Sequence, residues 1–238
     1  MVFRRFLDGL ALALFSAFLS CANVVTPSGG NKDVSAPEIK DIAPENLSKN
    51  IKPNNIVISF DEYFSIANPA SNVLISPAIE PFPAFSIRGK KLIIKIPPDL
   101  KDDKTYIFNL NSLVKDINEG IELKYFQYVF STGSNIDSCS VKGSVVLSPT
   151  LKPANNIWVG LYNFLDKDSF TQHKPLYIAR TDENGLFEIN YIKNDQYALY
   201  VLDDQNQNLF YDLPNEKIGF INQGINFDTS TNISLSPI

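Results

Sequence analysis

Reactive side chains are scarce in this chain: its 238 residues include one histidine, one tryptophan, one methionine and two cysteines. A catalytic thiol needs a nearby base, and the one imidazole, His173, lies in the polar loop "TQHKP", so nucleophilic catalysis by Cys139 is not expected. No glycine-rich loop follows a strand-like run, and H-E-x-x-H, CxxC and G-x-S-x-G are all missing. Phosphate-loop, zinc-protease, dithiol and hydrolase-elbow chemistry are therefore not written here. Positive charge is also short, with 21 Lys and Arg against 26 Asp and Glu, a net −5. Nucleic acid is excluded as an electrostatic partner, because replacing phosphate counterions needs a basic stripe. There is no internal repeat, no coiled-coil heptad and no apolar run long enough for a membrane-spanning helix.

What is present points to strands. Seventeen phenylalanines and ten tyrosines, with many β-branched residues and 44% apolar content, describe a folding chain that leans all-β. At the N-terminus Arg4 and Arg5 precede "LALALFSAFL", Leu10 to Leu19, an apolar run about half the length of a spanning helix. That is the pattern of a signal peptide, over residues 1–20. Ser20 is a small residue at the cleavage position, and Cys21 follows it.

This junction resembles the lipobox of bacterial lipoproteins, with Phe18 and Leu19 departing from the usual Leu-Ala/Ser. The resemblance implies that Cys21 takes a diacylglycerol, that the bond before it is cut, and that the new amino terminus is acylated, typically with palmitate. Several acyl chains anchor stably, since each buried methylene adds about 0.8 kcal/mol of membrane affinity. The alternative is an ordinary secretory signal with Cys21 incidental. Residues 21–34, rich in Pro, Gly and Ser, read as a flexible tether. By the same resemblance Ala22 implies the outer membrane, with the periplasmic or surface face left open. If Cys21 is lipidated, Cys139 in "DSCSVKG" has no partner for an intramolecular disulfide, and it reads as a buried thiol acting as a small hydrophobe.

Beyond the tether, short runs alternate with period two. Ile56, Ile58 and Phe60 share a face, as do Leu92, Ile94 and Ile96; Tyr106, Phe108 and Leu110; and Phe126, Tyr128 and Phe130. Each is expected to be a half-buried strand. With "PEIKDIAP", "SNVLISPA" and "PAFSIRG" they make about seven strands separated by "KPNN", "RGKK", "KDDK" and "DINEG" turns, the spacing of a Greek-key sandwich. "NNIVISFDEYFS", "TYIFNLNSLVKDINEG" and the closing "FSTG" resemble the SbsA-type Ig-like domain of Bacteroidetes lipoproteins, covering Ser35 to Gly133. The resemblance implies a structural or adhesive module without catalytic residues. In "FDEYF" the adjacent acids Asp61 and Glu62 would point to opposite faces of an extended chain, so they read as a solvated strand end rather than a glycosidase pair.

"GSNIDSC" leads to a second set of strands: Val141, Val145 and Leu147; Ile157, Val159 and Leu161; "PLYIARTDENGLFEINYI" as a hairpin turning at Gly185; then "DQYALYVLDDQN" and an edge at "EKIGFIN". From about Ser138 to Asn222 this resembles the carboxypeptidase-regulatory or transthyretin-like sandwich, which implies a non-catalytic appendage. Proteins of that Bacteroidetes type are usually longer, so a chain ending at "TNISLSPI" is expected to be a truncated member. The expected architecture is two tandem β-sandwich domains, Ig-like over 35–133 and transthyretin-like over 134–238.

One loop carries ion-binding residue types. Asp204, Asn206 and Asn208 alternate and Asp212 follows, a set of hard oxygen ligands suited to calcium. Against the EF-hand spacing, Leu209 and Asn215 stand where Gly and Glu belong, so a polar loop capping its own backbone is the competing reading. No cofactor is expected, with calcium at this loop as the alternative. Two classes of function stay open. One is a non-enzymatic, lipid-anchored envelope module binding a protein or glycan, with Tyr63, Phe64, Phe82 and Trp158 as contact aromatics. The other is an accessory part of a carbohydrate-processing or peptidase system whose catalytic portion lies elsewhere.

Overall fold

The computed structural model describes residues 33–164, 169–221, 224–226 and 230–235. The signal peptide, Cys21 and nearly all of the expected tether lie outside them. Among the described residues no helix is long and apolar enough to cross a membrane.

Nine strands build the first sandwich: β1 (Ile39–Ala43), β2 (Asn55–Phe60), β3 (Phe64–Ile66), β4 (Leu74–Ser76), β5 (Ala84–Arg88), β6 (Lys91–Lys95), β7 (Thr105–Asn109), β8 (Val114–Asp116) and β9 (Gln127–Ser131). One antiparallel sheet has the order β1-β2-β6-β5; the other has β4-β7-β9, and β3 pairs with β8 beside it. Ile56, Ile58, Leu92 and Ile94 from the first sheet meet Phe108, Tyr128 and Phe130 from the second, all fully buried. The Tyr128 hydroxyl donates to the Pro44 carbonyl at 3.1 Å, so its polar end is satisfied inside the core. Burial pushes the Tyr128 phenol up to about 12. The "DINEG" turn forms around Asp116, whose carboxylate accepts from the Asn118 and Glu119 amides at 3.1 and 2.7 Å. Those donors hold its pKa below the ordinary carboxylate value. Strands β3 and β8 had no expected counterpart, since three residues are too few to show an alternation.

The second set comprises β10 (Cys139–Leu147), β11 (Lys152–Pro153), β12 (Trp158–Asn163), β13 (Tyr177–Arg180), β14 (Leu186–Ile192), β15 (Gln196–Leu202), β16 (Ile218–Phe220), β17 (Ile225–Asn226) and β18 (Ser230–Leu235). One sheet runs β11-β10-β14, with β18 parallel to β10. The other runs β13-β12-β15-β16, with β17 also on β15. Val141, Val145 and Ile192 face Val159, Leu161 and Leu199 across this core.

Two expectations are corrected. The run "PLYIARTDENGLFEINYI" is not a hairpin: β13 pairs with β12 and β14 pairs with β10, so the turn carries the chain from one sheet to the other. The turn itself is as read, with Gly185 at φ +73° and its amide donating to the Asp182 carbonyl at 2.9 Å. A Cβ on Gly185 would meet the Val145 carbonyl at 2.5 Å, and that same backbone approach docks the turn onto β10. Secondly, β7 and β9 are buried on both faces. Ile107 and Val129, 5% and 1% exposed, leave the first core and join the second. The Ile178 amide donates to Ser76 Oγ at 3.2 Å and the Asp137 amide to Thr105 Oγ1 at 2.9 Å, tying the halves at the same layer.

Candidate functional site

The aromatics expected as contact points divide. Tyr63 and Phe82 are 62% and 44% exposed, whereas Phe64 and Trp158 are 2% and 9% exposed and belong to the packed interior. Phe64 packs on Phe60 at 4.6 Å between ring centres, and Trp158 lies under the Arg180 guanidinium at 3.8 Å. Asp61 and Glu62 sit in the bend after β2 rather than in extended chain. Asp61 Oδ1 accepts from the Glu38 amide at 2.8 Å, and Lys90 Nζ donates to the Asp61 carbonyl at 2.7 Å. Cys139 is 6% exposed within the second core, and His173 is exposed on a loop.

The loop after β15 brings Asp204, Asn206, Asn208 and Asp212 together. Asn206 and Asn208 each donate a carboxamide N–H to Asp212, at 3.0 and 2.7 Å. Asp204 accepts from the backbone of Asn208 and Leu209 at 3.3 and 2.7 Å, and Asn208 Oδ1 from Phe210 at 2.7 Å. Glu216, which the sequence reading did not single out, organises the loop from below. It is 5% exposed, and its carboxylate accepts from the amides of Gln205, Asp212 and Leu213 at 3.2, 3.0 and 3.0 Å. A single acid after Asp212, one residue past the place where an EF-hand would carry Glu, gave no pattern that revealed that role. No group of three or more His, Cys, Asp and Glu among the described residues is gathered to hold a metal. A calcium ion here would draw on the Asn oxygens as well as the carboxylates, and would exchange N–H donors for itself.

A cleft of about 1040 Å³ lies where the two sandwiches meet. One wall comes from a short helix, α1 (Pro69–Asn72), and from the ends of β7 and β9; the other comes from β10, β13 and β14. Helix α1 starts at Asn68, whose side chain accepts from the Ala70 amide at 3.2 Å. The walls carry Asn72, Asn109 and Gln127 opposite Asn190, with Asn111 and Tyr125 at the same site. Tyr125 is 84% exposed and has φ +59°, a conformation uncommon for a bulky side chain. Lys142 and Glu188 pair across β10 and β14 at 2.9 Å. Arg180 has its pKa lowered by burial, partly offset by Asp204. Sequence alone did not reveal this site, because its residues come from six separated segments and none of them forms a motif.

BcpA, the major pilin subunit of Bacillus cereus, is similar at 9% identity over 84% of this chain and 70% of its own, with a TM-score of 0.28. The N-terminal part of the bacterial S-layer protein SbsC shows 12% identity over 81% of this chain and 42% of its own, with a TM-score of 0.28. An L,D-transpeptidase from Mycobacterium smegmatis shows 11% over 62% and 77%, with a TM-score of 0.27. No curated protein matches the chain. Residues 33–132 match the bacterial Ig-like domain family, and this first sandwich is an Ig-like domain in an all-β chain.

Proposed function

We propose that the chain is a non-enzymatic, lipid-anchored protein of the cell envelope, acting as a structural, binding or adhesion module of Bacteroidetes type. The observation that carries this reading is the Ig-like match over residues 33–132, a fold that serves as a scaffold. The cysteine at the end of a short apolar run supplies the address: Cys21 would bear the lipid, Ala22 would direct it to the outer membrane, and 21–34 would hold the folded part off the bilayer. The second set of strands, 134–238, is assigned as a carboxypeptidase-regulatory or transthyretin-like sandwich. Its two facing sheets and the Gly185 turn support that assignment. Calcium at Asp204, Asn206, Asn208 and Asp212 is a separate proposal, supported by the way one loop gathers all four.

Protease accessibility on intact cells, beside a Cys21→Ser variant, tests the anchor. The variant should lose its lipid and leave the membrane fraction; retention there would refute the anchor. Digestion of the wild type on intact cells assigns it to the surface, and protection until the envelope is opened assigns it to the periplasm. A screen of the purified chain against polysaccharides and peptides separates the module from an accessory enzyme part. Saturable binding without turnover is expected, and turnover would sink the reading.

A further inference from the structure

We propose that the cleft between the two sandwiches binds a neutral glycan chain, a reading that rests on the assignment of this protein as a binding module. The lining decides the ligand class. Five carboxamide residues line it, Asn72, Asn109, Asn111 and Gln127 on the Ig-like side and Asn190 on the other; Asn72 donates to the Asn68 carbonyl at 2.8 Å, Asn109 Oδ1 accepts the Asn111 amide at 3.2 Å and Asn190 bonds Glu188, and each of the three still carries a second polar atom. A carboxamide presents a donor and an acceptor in one plane, which matches a pair of neighbouring sugar hydroxyls.

Charge in the cleft is balanced rather than directed. Lys142 is engaged by Glu188, the Arg180 guanidinium lies on the Trp158 ring, and Asp182 accepts the Asn184 and Leu186 amides at 2.9 and 2.8 Å. No cluster of one sign awaits a phosphate, sulfate or carboxylate, so an anionic polymer gains little here. Tyr125 gives the lining an exposed aromatic face on which the apolar side of a pyranose ring can lie.

A second observation points into the same place. Among the described residues two buried side-chain atoms have no hydrogen-bond partner, Asn111 Oδ1 and Arg180 Nε, and both residues line this cleft. Buried polar atoms are almost always paired, so their coincidence at one site marks where a hydroxylated ligand would complete the network once the side chains turn toward it. The volume, about 1040 Å³, lies at the top of the usual range for ligand sites and has room for several linked rings.

The test is affinity electrophoresis of the full chain through gels containing galactomannan, xyloglucan or mixed-linkage β-glucan, with calorimetry on hexasaccharides of any polymer that retards it. At least one should retard the wild type, with little dependence on salt. Tyr125→Ala and Asn190→Ala should each weaken binding about tenfold, and Ser144→Trp should abolish it by filling the cleft. The Ile117→Ala variant, at an exposed residue outside the lining, should bind as the wild type does. Trp158 fluorescence and Tm check that each variant is folded; Tyr125, being exposed, carries the test if Ser144→Trp is not. Retardation unchanged by the cleft variants would overturn the site while leaving the binding module standing. Binding only to an anionic polymer or only to peptides, or retardation by none of the polymers, would overturn the glycan assignment.

Discussion

Ile107 belongs by sequence to the Ig-like sandwich and by packing to the neighbouring core, which makes Ile107→Ala a sharp perturbation. The side chain is 5% exposed. Truncation removes three carbons, a transfer loss of about 2.4 kcal/mol at about 0.8 kcal/mol per methylene. The incompletely collapsed cavity raises the total to about 3 kcal/mol. With an m-value of about 2–3 kcal/mol/M in urea, the midpoint should fall by about 1 M. Trp158, the single tryptophan, sits in β12 of the second sandwich and reports on that half alone. Its fluorescence transition should therefore move with a substitution made some fifty residues earlier, and it should coincide with the far-UV circular dichroism transition. Ile56→Ala, fully buried in the first core on the opposite sheet, serves as the comparison. If Ile107→Ala shifts the dichroism transition and leaves the Trp158 midpoint in place, the shared layer does not couple the halves and the reasoning fails.

Four further outcomes are expected. Gly185→Ala forces a left-handed conformation costing about 1–2 kcal/mol on L residues and drives a methyl group against the Val145 carbonyl; an unchanged Tm would refute the docking role given to this turn. Glu216→Ala strands three backbone amides and should cost roughly 2–3 kcal/mol, with Glu216→Gln intermediate; equal Tm values for all three proteins would show that the carboxylate organises nothing. The Tyr128 phenol is raised to about 12 from the ordinary 10.0, so the unfolded chain releases its proton first and stability should be full below pH 10 and decline from 10 to 12; urea midpoints followed beside ultraviolet titration of tyrosinate check this, and a flat profile through that window would contradict it. Millimolar calcium should raise the Tm of the wild type and leave Asp204→Ala unmoved, and an equal response in both would remove the ion from that loop.

Most strands were legible because one rule wrote them: Ile56, Ile58 and Phe60, or Leu92, Ile94 and Ile96, are buried, while Val57, Ser59, Ile93 and Lys95 between them are half-buried or exposed. The same rule misread β7 and β9. Their second face carries Ile107 and Val129, and a single strand does not disclose whether its other face meets solvent or a neighbouring core. The turn at Gly185 was visible in its residues, yet the destination of the strand leaving it was not. Both a hairpin and a crossing between sheets use the same local chemistry, and the choice is made by β10 and β12, remote in sequence. Loop residues Asp204 to Asp212 were found by type, while Glu216 was missed because an isolated acid among polar residues carries no pattern. The cleft was invisible for a related reason: Asn72 and Asn190 become neighbours through the packing of two sandwiches.

The layer shared by both cores also bears on how such a chain is inherited. The family match ends at residue 132, the point at which a recombining segment would be cut, yet Ile107 and Val129 lie inside that segment with their side chains committed to residues beyond it. Splicing the Ig-like piece alone onto another protein would bare an apolar strip, and any new neighbour would have to cover it with a matching surface. The two sandwiches are thus expected to travel through evolution as a pair, with substitutions at Ile107 and Val129 answered by changes in the partner core.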